Sequence, residues 1–281
     1  MNDVGLVRRI TPPFVAGHFP VMPPDDYHAI EALSSSGAKR IRQSPAHFRL
    51  MRDTPNEPTP PMQLGTAIHT GTLEPDCFAD RVVCAPSVNK RTNAGKEELA
   101  DFEFIHGGKI ILSPPDFDRA RRCIDAVLAH PAARYLLEGA EVEHSIFWRD
   151  RLFDVPCKAR FDARKHGGIT DLKSCKDASP EGFARAIGEF DYHAQGWTYF
   201  SGAEHVLNAT PEFFAFVAVE TEPPHCVGVY HLGRESLMAG ARLWDEACSR
   251  YKAALELGEW RGYSPEITTI QAPRWKLRFD A

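Results

Sequence analysis

Two short stretches of mixed apolar and polar residues, joined by the letters KHGG, most constrain how this chain can fold. The first, CKARFD, ends at Asp162, and the second, GITDLKS, contains Asp171 and Lys173. Polar, glycine-rich connections of this kind form turns between strands. We therefore expect the chain to fold back on itself and to bring Asp162 near Asp171. Side chains in a strand alternate with a period of two residues, so Asp171 and Lys173 share one face.

The two carboxylates and the lysine together predict a metal site. Close carboxylates repel each other unless a cation lies between them, and hard oxygen ligands suit Mg²⁺ or Mn²⁺. We expect Asp162, Asp171 and the backbone carbonyl of Leu172 to bind this ion. Lys173 could then orient or deprotonate a water molecule for hydrolysis of a phosphodiester. Taken alone, however, a D-x-K string is more often an ordinary surface strand pair.

The stretch YHAQGWTYFSGA, downstream of the lysine, is typical of a helix. Gln195 and Tyr199 are four residues apart, so they share one helical face. This pair could hold a DNA phosphate or fix the strand that carries Asp171. The alternative is a half-buried helix with Trp197 and Phe200 in the core, because aromatic residues at helical spacing usually pack.

His69, in the stretch LGTAIHTGTLEP, is a third candidate residue. It lies beside the apolar stripe of a predicted helix, where a lone histidine is usually a core residue. Imidazole is also a competent ligand for Mn²⁺, and less so for Mg²⁺. We therefore expect His69 to bind the same ion or a neighbouring one.

The charge of the chain is unevenly distributed. The net charge of −5 does not suggest a protein covered in DNA contacts. The segment from Ser34 to Arg52, however, contains five basic residues and no acidic one. It could line a DNA passage, with Lys39, Arg42 and the hydroxyl of Ser35 contacting phosphates. A solvated helix face explains the same pattern equally well.

Length and composition indicate a soluble globular protein. The chain has 281 residues, of which 43% are apolar and 25% charged. Its seven cysteines show no C-x-x-C pair, which favours reduced thiols and argues against a structural zinc site. We see no apolar stretch long enough to span a membrane and no signal peptide at the N-terminus, so a cytoplasmic location is expected.

The order of the predicted elements indicates an α/β fold with a central mixed β-sheet flanked by helices. Residues 1–25 are rich in proline and predict an extended N-terminal arm, and residues 26–281 predict one domain. Ser113 and Ser179 precede prolines and predict helix starts. A three-stranded meander is expected between Val142 and Ser174, and a long helix should end at Gly258. The tail PRWKLRF could be an edge strand or an assembly element.

These features in this order resemble the RecE-like (exonuclease VIII) nuclease domains, in the RecB-like branch of the PD-(D/E)xK nuclease superfamily. The family order is histidine, aspartate, D-x-K and Q-x-x-x-Y. The chain has this order from its first to its last motif residue: His69, Asp162, Asp171-Leu172-Lys173, Gln195 and Tyr199. Phe161 departs from the pattern, because relatives often have proline there. For the family's further acidic residue our candidate is Glu143, which could instead be a solvated strand residue.

The resemblance implies a metal-dependent deoxyribonuclease that uses Mg²⁺ or Mn²⁺ and needs no ATP. It would digest linear duplex DNA from its ends, 5′ to 3′, and leave 3′ single-stranded tails for recombination. It also implies a homo-oligomeric ring and a RecT-type single-strand annealing protein as a partner. Two alternatives stay open: a structure-specific endonuclease of the same superfamily, and a non-catalytic DNA-binding or assembly protein on the nuclease fold.

Overall fold

A mixed sheet of six strands forms the centre of the molecule, which we describe from a computed structural model over residues 13–54 and 57–273. Its strands are β1 (Gly17–Phe19), β4 (Glu141–Arg149), β5 (Pro156–Lys165), β6 (Gly168–Cys175), β7 (Phe214–Glu220) and β8 (Val227–His231), in that spatial order. All neighbours are antiparallel except β6 and β7. A separate parallel pair consists of β2 (Val82–Cys84) and β3 (Ile110–Leu112), which the sequence did not lead us to expect.

Helices cover both faces of the sheet. In the described part of the chain, the α-helices are α1 (Pro24–Ala29), α2 (Ser35–Gln43), α3 (Pro45–Asp53), α4 (Pro60–Leu73), α5 (Phe78–Arg81), α6 (Asn93–Ile105), α7 (Pro114–Ala129), α8 (Pro131–Leu137), α9 (Pro180–Phe190), α10 (Tyr192–Leu207) and α11 (Arg234–Leu257). A short 3₁₀ helix, Pro75–Cys77, precedes α5. The fold class predicted from the sequence is therefore confirmed.

Strand β7 shows how the two faces are filled. Phe214, Phe216 and Ala218 pack into one core cluster, with residues of α2, α9, α10 and α11. The residues between them, Ala215 and Val217, pack into a second cluster, with residues of α4, α7 and α8. A strand buried on both faces is a near-continuous apolar run, as FFAFVAV is here.

Local sequence signals place several helix ends where we expected them. The side chain of Ser113 accepts a hydrogen bond from the N–H of Asp116 and caps α7, and Ser179 caps α9 in the same way. Helix α11 ends at Gly258, whose φ of 65° is the left-handed conformation that glycine adopts readily. The meander predicted between Val142 and Ser174 is formed by β4, β5 and β6.

The two ends of the chain are described only in part. The predicted N-terminal arm is described from residue 13, and its strand β1 pairs with β4, while α1 begins at Pro24. Residues 1–12 of the arm and all but the first residue of PRWKLRF lie outside the described residues. Within the described part of the chain, no helix is both long enough and apolar enough to cross a membrane.

The contact between α10 and α11 generates a stability prediction. A Cβ added to Gly240 would lie 2.1 Å from the backbone oxygen of His193. Gly240→Ala should therefore lower the free energy of unfolding by about 1–3 kcal/mol, although alanine favours a helix over glycine by about 1 kcal/mol. Urea denaturation measures the change. Gly188→Ala in α9 is the control, because nothing lies within 4 Å of its added Cβ. Equal effects of the two substitutions would contradict this packing.

Candidate metal and catalytic site

The β5–β6 hairpin brings the two aspartates together. His166 and Gly167 both have positive φ, of 52° and 74°, which is the conformation of a two-residue type I′ turn. The ladder pairs Lys165 with Gly168 and continues to Ala163 and Thr170. The next pair in this register would be Asp162 and Asp171. The turn chemistry of KHGG therefore fixes the register that places the two carboxylates opposite each other.

The two strands separate at this point, and a side chain replaces the lost backbone partner. The Oδ2 atom of Asp162 accepts a hydrogen bond of 2.8 Å from the N–H of Leu172. Asp162 therefore binds β6 through its carboxylate, and the orientation of that carboxylate is fixed. The second oxygen, Oδ1, remains for other ligands.

Helix α4 brings His69 to the same carboxylate from one face of the sheet. Its Nε2 lies 3.0 Å from Asp162 Oδ2 and 3.0 Å from the backbone oxygen of Leu172. Its Nδ1 lies 3.9 Å from Glu143 Oε1. Ligand atoms of His69, Glu143 and Asp162 all lie within 4.8 Å of one another, which is compatible with one divalent cation. The three predicted residues His69, Asp162 and Leu172 are thus brought together, and Glu143 joins them.

Asp171 lies beside this cluster and contacts a different set of groups. Its carboxylate is buried. Oδ1 accepts a hydrogen bond of 2.6 Å from Gln195 Nε2, and Oδ2 lies 2.5 Å from Lys173 Nζ. Oδ2 has no well-directed hydrogen bond. Asp171 lies close enough to Asp162 and His69 for their charges to shift its pKa, so its carboxylate adds an oxygen donor of the kind that a hard divalent cation takes.

Helix α10 fixes Asp171 from the other face of the sheet. Gln195 Nε2 donates to Asp171 and also to the hydroxyl oxygen of Tyr199, 2.9 Å away. The two residues share one helical face, as their spacing predicts. Tyr199 is buried, and its ring packs against Phe161 and Phe214. In this structure the pair supports the strand that carries Asp171, and the role of either residue in DNA binding stays a prediction.

Burial and mutual contact shift the pKa values of the four charged groups. Burial alone would lower the pKa of His69, but the charge of Asp162 and a hydrogen bond to it hold this pKa well above its ordinary value. Burial would raise the pKa of Asp162, yet His69 and Lys173 keep it below the ordinary range. Burial and the neighbouring Asp162 together raise the pKa of Asp171 to about 6. Asp171 in turn keeps the pKa of Lys173 high despite burial.

Two residues at the site were missed by the sequence analysis. Lys173 Nζ lies 4.9 Å from the centre of the Tyr192 ring, a cation–π distance. Tyr192 precedes Gln195 by three residues, so helical spacing could have indicated that both face the site. Arg160 contacts Glu143, with its Nε 3.1 Å from Glu143 Oε2. The alternation of β5 places Arg160 on the same side as Asp162, which was an available signal.

The predicted DNA-binding segment has internal partners for much of its charge. Lys39 Nζ donates to the backbone oxygen of Glu189 at 3.0 Å. Arg42 forms ion pairs with Asp191, at 3.1 Å, and with Glu246, at 3.2 Å. These contacts connect α2 to the α9–α10 corner and to α11. They favour a packing role for Lys39 and Arg42, and their contact with DNA stays a prediction.

The start of α2 carries the serines of this segment. The side chain of Ser34 accepts a hydrogen bond from the N–H of Gly37 and caps the helix. Ser35 is the first residue of α2 and is half-buried. The contact of Ser35 with a phosphate stays a prediction.

Comparison with known proteins agrees with this architecture. Residues 34–273 match the model of a PDDEXK-like domain of unknown function (DUF3799). Among solved structures, the chain is similar to the crystal structure of a "Putative exonuclease" from Eubacterium rectale, with a TM-score of 0.60 and 13% sequence identity. The alignment covers 93% of this chain and 99% of that one. At this identity the likeness shows the fold alone.

No curated protein matched the chain. The family match spans most of the chain and includes every residue of the candidate site. Together with the sheet topology, it confirms the PD-(D/E)xK part of the resemblance and leaves the RecE-like part as a proposal. The chain belongs to the PDDEXK-like family DUF3799.

Proposed function

We propose that this protein is a divalent-metal-dependent deoxyribonuclease that digests linear duplex DNA from its 5′ ends. One observation carries the proposal. The metal-compatible cluster of His69, Glu143 and Asp162 lies directly beside the buried ion pair of Asp171 and Lys173. A purely structural ion pair has no need of a second cluster of acidic and imidazole ligands next to it.

Each side chain has a role that its contacts suggest. Glu143, Asp162 and His69 would hold a Mg²⁺ or Mn²⁺ ion. The carbonyl of Leu172 contacts His69, and Asp171 lies beside the cluster, so that both could add oxygen ligands. When bound, the ion supplies Lewis-acid polarisation of the scissile phosphate. Lys173 keeps a proton on Nζ because its pKa is high. Its positive charge can therefore stabilise the negative charge that develops on the phosphate.

The finer parts of the proposal rest on the resemblance to RecE-like nucleases. They are the 5′-to-3′ direction, the 3′ single-stranded tails, a ring of identical subunits around DNA and a RecT-type annealing protein as partner. The solved structure that shares the fold bears an exonuclease name, in agreement with end-dependent digestion. An exonuclease must accept any sequence, so its contacts should go to the DNA backbone.

Digestion of defined DNA substrates tests the activity. With Mg²⁺, the protein should release a 5′ label from linear duplex DNA in short products, progressively shorten the same strand when it is labelled at its 3′ end, and leave covalently closed circular DNA intact. Asp171→Ala should abolish digestion, and Lys173→Ala should bind DNA but cut about 10²–10³ times more slowly. Asp118→Ala, an exposed acid on α7, is the control and should digest normally.

The other outcomes of that assay are equally informative. Cutting of circular or branched DNA without a free end would identify a structure-specific endonuclease. Failure of the wild-type protein to cut any substrate with Mg²⁺ or Mn²⁺ would favour a non-catalytic DNA-binding or assembly role. Loss of DNA binding with normal turnover in Lys173→Ala would make that lysine a phosphate anchor only.

Metal binding should stabilise the protein, and the effect should grow with pH. In the metal-free protein His69 holds a proton, because its pKa lies well above the ordinary value. A cation must displace that proton, so metal affinity should rise as the pH rises from 6 to 8. At about 100 times its Kd, the metal should stabilise the fold by about 2.7 kcal/mol. Thermal denaturation with and without Mn²⁺ at each pH measures this.

Two neighbouring glutamates on β4 provide a matched pair for this experiment. Glu143→Gln should reduce the stabilisation by Mn²⁺, because Glu143 belongs to the cluster. Glu141→Gln should not, because Glu141 pairs with Arg164 instead. An effect of Mn²⁺ that is the same at every pH and in both variants would place the metal elsewhere.

Salt dependence tests the predicted DNA-binding segment. Arg40 on α2 is exposed and has no ion pair with any residue between 13 and 54 or 57 and 273, so its replacement should not disturb the fold. Arg40→Glu should weaken DNA binding to all sequences alike. A plot of the logarithm of the DNA association constant against the logarithm of the salt concentration has a negative slope, and the magnitude of this slope should fall by about 1. Arg122→Glu, on α7 at the other face, changes the net charge equally and should leave the slope unchanged. Equal slopes in both variants would put the DNA on another surface.

A further inference from the structure

Glu143 has an unusual backbone conformation for a strand residue. Its φ of 56° lies in the left-handed region, although β4 pairs regularly with β5 on both sides of it. Such a conformation is unfavourable for a residue other than glycine, and it persists where surrounding contacts hold it. The carboxylate of this residue lies near His69 and Asp162.

Arg160 makes the contacts that hold Glu143. Its Nε donates to the backbone oxygen of Glu143 at 3.1 Å and lies 3.1 Å from Glu143 Oε2. The residue opposite Arg160 in the ladder is Ser145, so the guanidinium reaches back diagonally to Glu143. One side chain thus contacts both the strained peptide and the carboxylate of the same residue.

The guanidinium of Arg160 is itself fixed by the N-terminal segment. Its second nitrogen donates to the backbone oxygen of Met22, and the group lies 5.5 Å from the centre of the Tyr27 ring. Lys158, two residues earlier on β5, lies over the same ring and donates to the backbone oxygens of Tyr27 and Ile30. The Arg160 side chain is only 14% exposed. A planar guanidinium group that is held by contacts on both sides has little freedom to move.

We infer that Arg160 is a positioning residue that holds Glu143 in its metal-binding conformation and couples it to the segment Met22–Ile30. This inference rests on the proposed function, because it assumes that the cluster binds a divalent cation. Arg160 does not contact the other two cluster residues. Its effect on the metal therefore passes through Glu143.

A second arginine–glutamate pair on the same two strands provides a control. Arg164 Nε donates to Glu141 Oε2 at 2.7 Å, and these residues are directly opposite in the ladder. Arg164 follows Arg160 by four residues on β5, and its glutamate is outside the metal-compatible cluster. Loss of the Arg164 pair removes an equal charge and a similar contact without touching Glu143.

The experiment measures Mn²⁺ affinity of the full chain by titration calorimetry and electron paramagnetic resonance. Arg160→Gln should raise the Kd for Mn²⁺ by about 10–100-fold, as loss of a group that orients a metal ligand typically does. The Kd of Arg160→Lys for Mn²⁺ should lie between those of the wild type and Arg160→Gln. Lysine keeps the charge but cannot contact Glu143 and Met22 with one planar group. Arg164→Gln should bind Mn²⁺ like the wild type.

A double-variant cycle separates positioning from general destabilisation. If Arg160 acts through Glu143, Arg160→Gln should add nothing to the Kd of a Glu143→Gln protein. Melting temperatures of all variants are measured alongside, and Arg160→Lys carries the comparison where Arg160→Gln does not fold. At saturating Mn²⁺, the cleavage rate of Arg160→Lys should return to that of the wild type. The Mn²⁺ concentration that gives half-maximal activity should therefore change more than kcat.

The outcomes distinguish this inference from the proposed function. Wild-type protein that binds no Mn²⁺ would overturn the metal site and the inference together. Wild-type protein that binds Mn²⁺ with the same Kd as Arg160→Gln and Arg160→Lys would overturn the role of Arg160 alone. An additive effect in the double variant would also overturn it, because Arg160 would then act on the metal independently of Glu143.

Discussion

The N–H of Leu172 donates to a carboxylate oxygen of Asp162 at the point where β5 and β6 separate, and the candidate site depends on this contact. A regular ladder there would satisfy the backbone and leave no gap between the strands. With the ladder ended, the carboxylate takes over the backbone N–H, and side chains from both faces reach the gap. His69 arrives from α4 on one face and Gln195 from α10 on the other. The position of the site thus depends on three features together: the register set by the hairpin turn, the separation of β5 and β6, and the packing of α4 and α10 on the sheet.

The site is close to charge balance without any ion. Asp162 and Asp171 are opposed by the imidazolium of His69 and the ammonium of Lys173, so the two carboxylates do not face each other uncompensated. Glu143 is compensated separately by Arg160. A divalent cation would replace the proton of His69 rather than enter an unpaired acidic cavity. Under the proposed function, metal binding would then release a proton, and the charge balance of the site would not require the metal for folding.

The parts of the molecule that local rules determine could be predicted from the sequence. The KHGG turn, the serine caps of α7 and α9 and the i, i+4 contact of Gln195 with Tyr199 each depend on residues a few positions apart. The contacts that were missed join distant parts of the chain: Arg160 to Met22 spans 138 residues, and Arg42 to Asp191 spans 149. The left-handed backbone of Glu143 belongs with these, because no glycine or turn signal marks it and its cause is a contact from the neighbouring strand.

The basic segment shows why local charge is a weak guide to a DNA surface. Of its five cations, Arg42, Arg49 and Arg52 pair with acidic residues, and Lys39 donates to a backbone carbonyl. Much of the positive charge that the sequence displays is therefore used inside the fold. The chain has a net charge of −5, and Lys173, the lysine at the site, is itself paired with Asp171. A bound divalent cation would change that balance most strongly at the scissile phosphate. Substrate affinity and catalysis would then depend on the same ion, and Glu143 and the arginine that holds it would influence both.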